Sequence, residues 1–296
     1  MLGIIIINYN TYEKTIDCIT SIKNTYNGDY KIYLLDNASG NESAEILSEK
    51  YSEDPLVEVI IEKENHGYAR GNNLCLRKAK SDGCNYALIS NNDIVYKEGA
   101  IKYMLDDIKS TDALLVGPTV IKPSGEIQGT VKYHRPGFIE YMLYETYTRN
   151  FFKKSYEKHK KVPEESADVY WIAGCTFLVD MEKFEKIGYF DDYTFLFYEE
   201  FILSEKAKKA GYRERFCKEA EVMHYHGISM GGALNIVTRS ANWRSESYFI
   251  KNYLHWNIVK RWLLWQMRVL EIKFNARKEN NRKELVMKYK EGRRFL

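Results

Sequence analysis

Clusters of amide and carboxylate side chains recur in the first hundred residues, and each cluster directly follows an apolar run. The clusters are Asn8-Tyr9-Asn10, Asp36-Asn37, Glu64-Asn65-His66-Gly67 and Asn91-Asn92-Asp93. One such cluster is ordinary turn chemistry. Four in succession favour a polar ligand, because open α/β sheets bind their ligands at the carboxyl ends of the strands.

The cluster at residues 91–93 has the chemistry of a cation site. A carboxylate at a strand end, beside amides, can bind a hard cation through oxygen. Such a cation would neutralise a diphosphate leaving group. The alternative is a plain turn after a strand, and Asn-Asn-Asp alone does not separate the two interpretations.

Asp36 also has two interpretations. Its carboxylate can accept hydrogen bonds from a ribose hydroxyl or a base N–H, as the acidic residue of dinucleotide sites does. It can equally cap the next helix or close an Asx-turn.

The run from Asn65 to Asn73 is more specific, because Gly67 and Gly71 are four residues apart. Glycines at a helix start let the backbone approach a ligand closely. The run is neither a Walker loop nor a G-x-G-x-x-G fingerprint, which argues against an ATPase or a dehydrogenase.

Alternating strands and helices must position these clusters. Apolar runs predict buried strands at residues 3–9, 31–35, 57–61 and 86–90, separated by helical patterns. This alternation predicts βαβ units and a mainly parallel sheet. Further along, we expect strands at 114–116 and 169–179. We expect helices at 138–152, at 199–210 with Gly211 after its end, and over about 240–274.

Together these segments resemble the family 2 glycosyltransferases with the GT-A fold, and within them the rhamnosyltransferase-like bacterial branch. The likeness covers residues 3–260 by motif order. Residues 6–10 look like the family's opening strand, 35–39 like its nucleoside-binding motif and 65–73 like its Asn-x-Gly-x-x-x-Gly-Asn element. Residues 91–93 stand where the family has a D-x-D-type metal motif, with Asn91 in place of the first Asp.

This resemblance implies an α/β GT-A (Rossmann-like) fold: a mainly parallel central sheet flanked by helices, with a C-terminal helical extension. The catalytic domain would span residues 1–235, with a nucleotide-sugar half at 1–117 and an acceptor half at 118–235, and the extension would span 236–296. The implied nucleotide- and donor-binding residues are Asn8, Asn10, Asp36, Asn65, Gly67, Gly71, Asn72, Asn92 and Asp93.

The second half of the chain continues the likeness. Residues 170–175 resemble the segment lining the family's sugar and acceptor site, which implies Trp171 and Gly174 there. Residues 198–200 resemble a stretch that ends in a Glu-Asp pair, whose second member is the catalytic base of inverting members. Glu200 stands at that position. Glu199 is the alternative base, because the family's further Asp two positions on is Ile202 here.

His224 opens a segment, residues 224–229, that is similar to the family's His-x-x-Gly-x-Ser, in which His completes the metal site. The resemblance thus implies Mg²⁺ or Mn²⁺ held by Asp93 and His224. It implies an inverting transferase that moves rhamnose or hexose from a dTDP- or UDP-sugar. The acceptor would be a glycan or a lipid-linked saccharide in cell-surface polysaccharide assembly.

Three other functions compete with this one. A nucleotide-sugar-binding paralogue without turnover fits the departures at Asn91 and Ile202. A sugar-nucleotide nucleotidyltransferase usually has a glycine-rich basic loop after its first strand, and residues 8–12 lack one. Nucleic-acid binding is disfavoured because the body of the chain is acidic and has no nucleic-acid motif.

The C-terminal segment is strongly basic, with 13 Lys and Arg against 4 Glu in residues 251–296. One helical face carries Ile258, Trp262, Trp265, Val269 and Ile272, while positive charge comes from Lys260, Arg261, Arg268 and Lys273. A basic amphipathic helix with Trp can lie in a membrane interface. Packing on the catalytic domain or on a sister subunit of a homodimer is the alternative.

The five cysteines form no C-x-x-C pair, which fits reduced thiols better than a disulfide framework or a zinc site. The apolar run at residues 4–7 is too short for a signal peptide or a membrane span. We therefore expect a cytoplasmic protein, with the inner face of the cell membrane as a site of contact.

Overall fold

A computed structural model describes residues 1–159, 161–225 and 236–275, together with Met287. The strands are β1 (Leu2–Asn8), β2 (Tyr30–Asn37), β3 (Val57–Glu62), β4 (Tyr86–Asn91), β5 (Ile94–Tyr96), β6 (Leu115–Ile121), β7 (Val131–Lys132), β8 (Ala167–Val169), β9 (Trp171–Ile172), β10 (Thr176–Asp180) and β11 (Glu214–His224).

Among the described residues, β7 and β9 pair in a separate two-stranded sheet, and the other strands form the central sheet. Helices cover both faces of the central sheet. They are α1 (Tyr12–Thr25), α2 (Ser43–Tyr51), α3 (Gly67–Ser81), α4 (Ala100–Thr111), α5 (Phe138–Tyr144), α6 (Lys153–His159), α7 (Met181–Lys186), α8 (Glu199–Lys209), α9 (Ile236–Asn252) and α10 (Ile258–Asn275), with a 3₁₀ helix at Tyr147–Asn150. No helix of the described residues is long and apolar enough to cross a bilayer.

The central sheet has the order β3-β2-β1-β4-β10-β6-β11-β5, with β8 beside β11. Among the described strands, β1, β2, β3, β4, β6 and β11 run in one direction, and β5, β8 and β10 run against them. The register places Asn8 opposite Asp36 and Ile7 opposite Asn91. The polar strand ends therefore meet at one edge, as the sequence predicts.

Alternating side chains of each strand fill two apolar layers, one on each face of the sheet. Ile4 and Ile6 of β1 lie in the first layer, while Ile5 lies in the second. Each is fully buried, and burying an Ile side chain contributes about 1.5–3 kcal/mol. The β-branched run at the start of the chain is thus explained by a strand covered on both faces.

A third apolar cluster joins the C-terminal helices to the rest of the fold. Phe249 and Ile250 of α9 and Leu264 of α10 pack with Tyr141 of α5 and Ile202 of α8. The residue at which the chain departs from the family's Asp is therefore an apolar core position, because Ile202 is fully buried in this cluster.

Three predicted elements are wrong in extent. The predicted helix at 138–152 is broken into α5 and the 3₁₀ helix, and the predicted strand at 169–179 is broken into the end of β8, β9 and β10. The predicted helix over 240–274 is two helices, with His255 between them in the left-handed region at φ 51°. The break lets Trp256 pack edge-on against Phe138 and Tyr141.

Candidate active site

The ends of β1 and β2 are joined by a buried polar network. Asn8 Nδ2 donates to Asp36 Oδ2 at 2.7 Å, and Ser39 donates to both Asp36 oxygens, through its backbone N–H at 2.9 Å and its hydroxyl at 2.7 Å. Asp36 is only 1% exposed. Asp36 therefore closes an Asx-type turn. This is the structural role that its sequence context allows, as opposed to ligand binding.

Asn92 ties this network to α1. Its Nδ2 donates to the hydroxyls of Thr11 at 2.7 Å and Thr15 at 2.9 Å, and Thr15 in turn donates to Asn8 Oδ1. Asn10 lies on the exposed side of the same edge, at φ 60°, and its Oδ1 accepts from the backbone N–H of Gly40. The strand ends thus form one rigid polar floor with Asn10 at its rim.

The glycines of α3 make their close approach to the chain itself. Gly67 has φ +71°, and a Cβ there would lie 2.2 Å from the carbonyl oxygen of Phe195. A Cβ at Gly71 would lie 3.0 Å from Ile7 and 3.2 Å from Leu35. Packing alone therefore requires small residues at both positions.

Asn65 and Asn72 orient the start of α3. Asn65 Oδ1 accepts from Asn37 Nδ2 at 3.1 Å and from the N–H of Gly67 at 2.9 Å. Asn72 is 1% exposed, and its Nδ2 donates to the carbonyl of Tyr68. Asn72 Oδ1 is buried with no hydrogen-bond partner in the described part of the chain.

Asp93 and His224 are 131 residues apart in the chain and adjacent in the fold. Strand β5 pairs antiparallel with the end of β11, placing Ile94 opposite His224, and the N–H of Tyr225 donates to the carbonyl of Asp93 at 3.0 Å. His224 Nε2 lies 3.2 Å from Asp93 Oδ1, and both side chains are buried. The distance is that of an ion pair, but the geometry is not that of a hydrogen bond, since Asp93 Oδ1 accepts none among the described residues.

Glu199 and Glu200 begin α8 directly after two left-handed residues. Phe197 has φ 72° and Tyr198 φ 68°, and each bulky residue in this region costs about 1–3 kcal/mol. The Tyr198 hydroxyl is held at 2.7 Å from the hydroxyl of Tyr141 and donates to Glu246 of α9 at 2.9 Å. The C-terminal helices therefore help to hold the strained turn that aims the two carboxyl groups.

Glu200 reaches into the acceptor-side segment, where its Oε1 accepts from the N–H of Gly174 at 2.9 Å. Burial raises the pKa of Glu200, against the effect of this hydrogen bond. Burial and the neighbouring Glu200 charge raise the pKa of Glu199 to about 8. Glu199 Oε1 has no hydrogen-bond partner among the described residues. Of the two carboxyl groups, Glu200 is therefore the one that ionises more readily.

Gly174 is contacted by two segments that are far apart in the sequence. Its carbonyl accepts from the hydroxyl of Tyr68 on α3 at 2.6 Å. The next residue, Cys175, accepts from the N–H of Asn91 at 2.8 Å. Burial raises the pKa of the Cys175 thiol to about 12, with contributions from the charges of both Asp93 and Glu200. The metal-site candidate and the base candidate thus both lie close enough to Cys175 for their charges to act on its thiol.

Trp171 stands at the outer part of this segment. Its ring stacks on Phe201 with a centroid separation of 5.1 Å, and Lys132 Nζ lies 5.7 Å from the Trp171 ring. The ring is half-buried. It is therefore fixed in place by neighbours while keeping part of its surface accessible.

Several residues that complete the site were not predicted from the sequence. Ser39, Thr11, Thr15 and Tyr68 lie within or beside the predicted motifs, so hydroxyl groups next to a polar strand end were an available signal. No local signal marks Tyr198, Glu246 or Arg268, because their contacts join segments 22 to 57 residues apart. Residues 226–229 of the predicted histidine motif lie outside the described residues.

A model of the family described as Glycosyl transferase family 2 matches residues 3–187. The chain belongs to glycosyl transferase family 2. This match includes the opening strand, the run from Asn65 to Asn73 and the 91–93 cluster, so the predicted family is confirmed. The protein is a glycosyltransferase of the EC 2.4 class.

Curated relatives of this glycosyltransferase differ in the sugar that their names give. It is 24% identical over 212 residues to an N-acetylglucosaminyl-diphospho-decaprenol L-rhamnosyltransferase of Mycobacterium tuberculosis, covering 68% of each chain. It is also 24% identical over 234 residues to the low-salt glycan biosynthesis hexosyltransferase Agl10 of Haloferax volcanii, covering 75% of this chain and 66% of that one.

Solved structures share the fold. GalNAc-T7 with UDP, GalNAc and Mn²⁺ matches with a TM-score of 0.65 at 17% identity, covering 86% of this glycosyltransferase and 48% of that chain. TarS of S. aureus matches with a TM-score of 0.54 at 12% identity, covering 94% of this chain and 73% of that one. The predicted GT-A-like sheet with C-terminal helices is thereby confirmed.

Proposed function

We propose that this glycosyltransferase is an inverting, metal-dependent enzyme that transfers a sugar from a nucleoside-diphosphate donor to an acceptor hydroxyl. The observation that carries the proposal is the pairing of Asp93 with His224, in which a buried carboxylate oxygen with no hydrogen bond lies 3.2 Å from an imidazole nitrogen. A buried polar atom without a partner calls for an explanation such as an ion, and a divalent cation supplies one.

Asp93 and His224 are the residues that would hold Mg²⁺ or Mn²⁺. One carboxylate oxygen and one imidazole nitrogen are acceptable ligands for such a cation, and the nitrogen favours Mn²⁺. No third His, Cys, Asp or Glu joins them among the described residues, which leaves room for phosphate oxygens of the donor. When bound, the cation supplies charge neutralisation for the diphosphate leaving group.

Glu200 is the proposed general base, and Glu199 its protonated neighbour. The pKa of Glu199 lies near 8 because of burial and the Glu200 charge, so Glu199 keeps its proton at neutral pH. The N–H of Gly174 stabilises the ionised form of Glu200. Glu200 would take the proton of the acceptor hydroxyl, whose oxygen attacks the anomeric carbon opposite the leaving group. A positioned base contributes typically about 10²–10⁴-fold.

The polar network at the ends of β1, β2 and β4 supports the proposal that a nucleoside-diphosphate donor binds there. The nucleoside would lie at the ends of β1 and β2 beside Asn10 and Asp36. Its phosphates would face the start of α3, which Asn65 and Asn72 orient. Asp36 accepts hydrogen bonds from Asn8 and Ser39. Its role in donor binding would therefore be to fix the conformation of the ends of β1 and β2. Asn10 is the exposed member of the set.

For the sugar we propose rhamnose from dTDP-rhamnose, with a UDP-hexose as the second candidate. The mycobacterial relative is named as an L-rhamnosyltransferase, and the haloarchaeal relative as a hexosyltransferase. The first name also specifies a diphospho-decaprenol acceptor, which favours a glycan or lipid-linked saccharide acceptor here. The pathway would be the assembly of a cell-surface polysaccharide.

A panel of nucleotide sugars titrated calorimetrically tests the proposal. The wild-type chain should bind one donor with Mn²⁺ and lose that binding in EDTA. Asp93→Ala should not bind it, whereas Asp17→Ala, at an exposed position on α1, should bind as the wild type does. If the folded chain binds a donor equally well in EDTA, the proposed metal dependence is wrong. Donor binding without sugar transfer to any acceptor would favour the non-catalytic paralogue.

A further inference from the structure

Some side chains of α10 are buried against the fold and others are exposed. Leu264, Arg268 and Val269 are buried against the fold. Ile258, Val259, Trp262, Leu263 and Leu270 are between 38% and 60% exposed. Offsets of one, four, five and twelve residues from Ile258 place these five side chains along one stripe of a helix with 3.6 residues per turn. Val269 follows Ile258 by eleven residues, which places it within about 20° of Ile258 around the helix. The predicted apolar face is therefore exposed at Ile258 and Trp262 and becomes buried at Val269.

Neighbouring elements extend the exposed stripe. Ile139 on α5 and Phe151 after the 3₁₀ helix are each 73% exposed, and Phe152 is 48% exposed. Phe138 contacts Trp256, two residues before α10, and Lys260 Nζ lies 5.5 Å from the Phe138 ring. A cleft of about 580 Å³ between α5 and α10 is lined by Gly137, Phe138, Ile139, Glu140, Leu143, Tyr144 and Lys260. We call this surface the α5–α10 face.

So many large apolar side chains on one exposed face are unusual for a monomer and mark an interaction surface. The α5–α10 face is defined by Ile139, Phe151, Phe152, Ile258, Val259, Trp262, Leu263 and Leu270.

Unpaired basic side chains border this face. Lys153 and Lys154 follow Phe152 directly, Lys251 is the penultimate residue of α9, and all three are exposed without an acidic partner among the described residues. Nε and Nη1 of Arg261 are buried and donate no hydrogen bond in the described part of the chain. The acidic neighbours Glu145 and Glu271 are each paired with a cation, Lys132 and Arg268, and Glu140 lies 2.8 Å from His134. An occupant of this face therefore needs apolar surface bordered by anionic groups.

We propose that the α5–α10 face binds the surface of an anionic lipid bilayer. A bilayer offers acyl chains to the apolar stripe and anionic headgroups to the basic rim. A second copy of the chain fits less well, because a two-fold interface sets each patch against itself and would bring Lys153, Lys154 and Lys251 of both copies together. The positively charged rim thus selects lipid over self-association.

The position of the face suits an acceptor that is itself in the membrane. The buried side of α5 carries Tyr141, whose hydroxyl contacts that of Tyr198, the residue before Glu199. The face and the proposed catalytic base therefore belong to one packed helical layer. The membrane proposal itself needs neither donor nor acceptor, so it can fail while the transferase proposal stands.

Vesicle flotation of the full chain tests the proposal with a matched pair of variants. Trp262→Asp changes an aromatic side chain of the face that is 46% exposed, and Tyr103→Asp changes one on α4 that is 43% exposed. Phosphatidylcholine vesicles with added phosphatidylglycerol should bind the wild-type chain and Tyr103→Asp alike. Partitioning of Trp262→Asp should fall about tenfold, a difference of ~1.4 kcal/mol.

The basic rim makes two further outcomes decisive. Binding should weaken as salt rises and should be lower on phosphatidylcholine alone. Absence of binding by the folded wild-type chain, or equal binding by Trp262→Asp, would overturn the proposal. So would a dimer, seen by light scattering, that Trp262→Asp converts to a monomer without any vesicle binding by the wild type. Circular dichroism melting confirms that both variants are folded.

Discussion

Glu200 contacts the backbone of Gly174 so closely that no side chain fits between them. The N–H of Gly174 donates to Glu200 Oε1 at 2.9 Å, whereas a Cβ on Gly174 would lie 2.3 Å from the same oxygen. The atom in the way is the far end of a flexible side chain. A larger residue at position 174 would therefore displace the carboxylate and leave the backbone in place.

Gly174→Ala should consequently lower kcat and spare the fold. Moving the proposed base away from its hydrogen bond removes part of the ~10²–10⁴-fold that general-base catalysis contributes. We expect kcat to fall at least about tenfold, with donor affinity unchanged in calorimetric titration. Gly137→Ala is the control, because a Cβ at Gly137 meets nothing within 4 Å. A normal kcat in Gly174→Ala would contradict the positioning of Glu200.

The two glutamates at the start of α8 should respond differently to amide substitution. Glu200→Gln removes the proposed base, and single-turnover rates should fall by ~10²–10⁴-fold. Glu199→Gln imitates a carboxyl that keeps its proton at neutral pH, since its pKa lies near 8, and should retain most of the activity at pH 7. The reverse order of activities would identify Glu199 as the base.

Glu214, at the start of β11, should make stability depend on pH. It is 4% exposed, and burial raises its pKa well above the ordinary 4.5. The stabilisation of its protonated form in the fold is complete below pH 4.5 and is lost as pH rises toward the folded pKa. Chemical denaturation should therefore show Glu214→Gln gaining in free energy of unfolding relative to the wild type as pH rises above 4.5.

The control for this measurement is Glu164→Gln, at a side chain 87% exposed. Its difference from the wild type should not change across the same pH range. A constant difference for Glu214→Gln would mean that Glu214 ionises as readily in the fold as in the unfolded chain.

The ion pair between Arg268 and Glu246 should be a strong support of the C-terminal helices. Arg268 donates to both oxygens of Glu246 at 3.0 and 2.6 Å, and both side chains are buried. Arg268→Met leaves a buried carboxylate without its cation, which costs about 3–5 kcal/mol. Urea denaturation of the variant should show a loss of that size.

A second substitution separates the charge effect from packing. Glu246→Gln in the Arg268→Met background removes the uncompensated charge and should recover part of the lost stability. Arg135→Met, which breaks a partly exposed pair with Glu205, should cost only about 0–1 kcal/mol. An equal loss for Arg135→Met and Arg268→Met would show that burial does not decide the strength of these pairs.

The sequence alone predicted the donor half of the fold well. Runs such as residues 3–9 are apolar on both faces, and that pattern is specific to buried parallel strands. Polar residues directly after each run identify the carboxyl edge, because parallel strands end on the same side of a sheet. Asn8, Asp36, Asn92 and Asp93 were therefore predictable as neighbours from local pattern. The two glycines of α3 indicate that another group approaches the backbone closely. The sequence pattern does not distinguish a ligand from another part of the protein as that group.

The tertiary structure decided the pairings between distant segments. Asp93 meets His224 only because β5 and β11 pair in one register, and Glu200 meets Gly174 only because α8 packs beside β9. Arg268 lies on a helix that its sequence marks as basic and amphipathic, yet it is buried against Glu246. Such contacts depend on how the whole chain packs, because the periodicity of each segment is compatible with several packing partners. Local sequence therefore determined which residues lie on each strand and helix, and packing determined which of them meet.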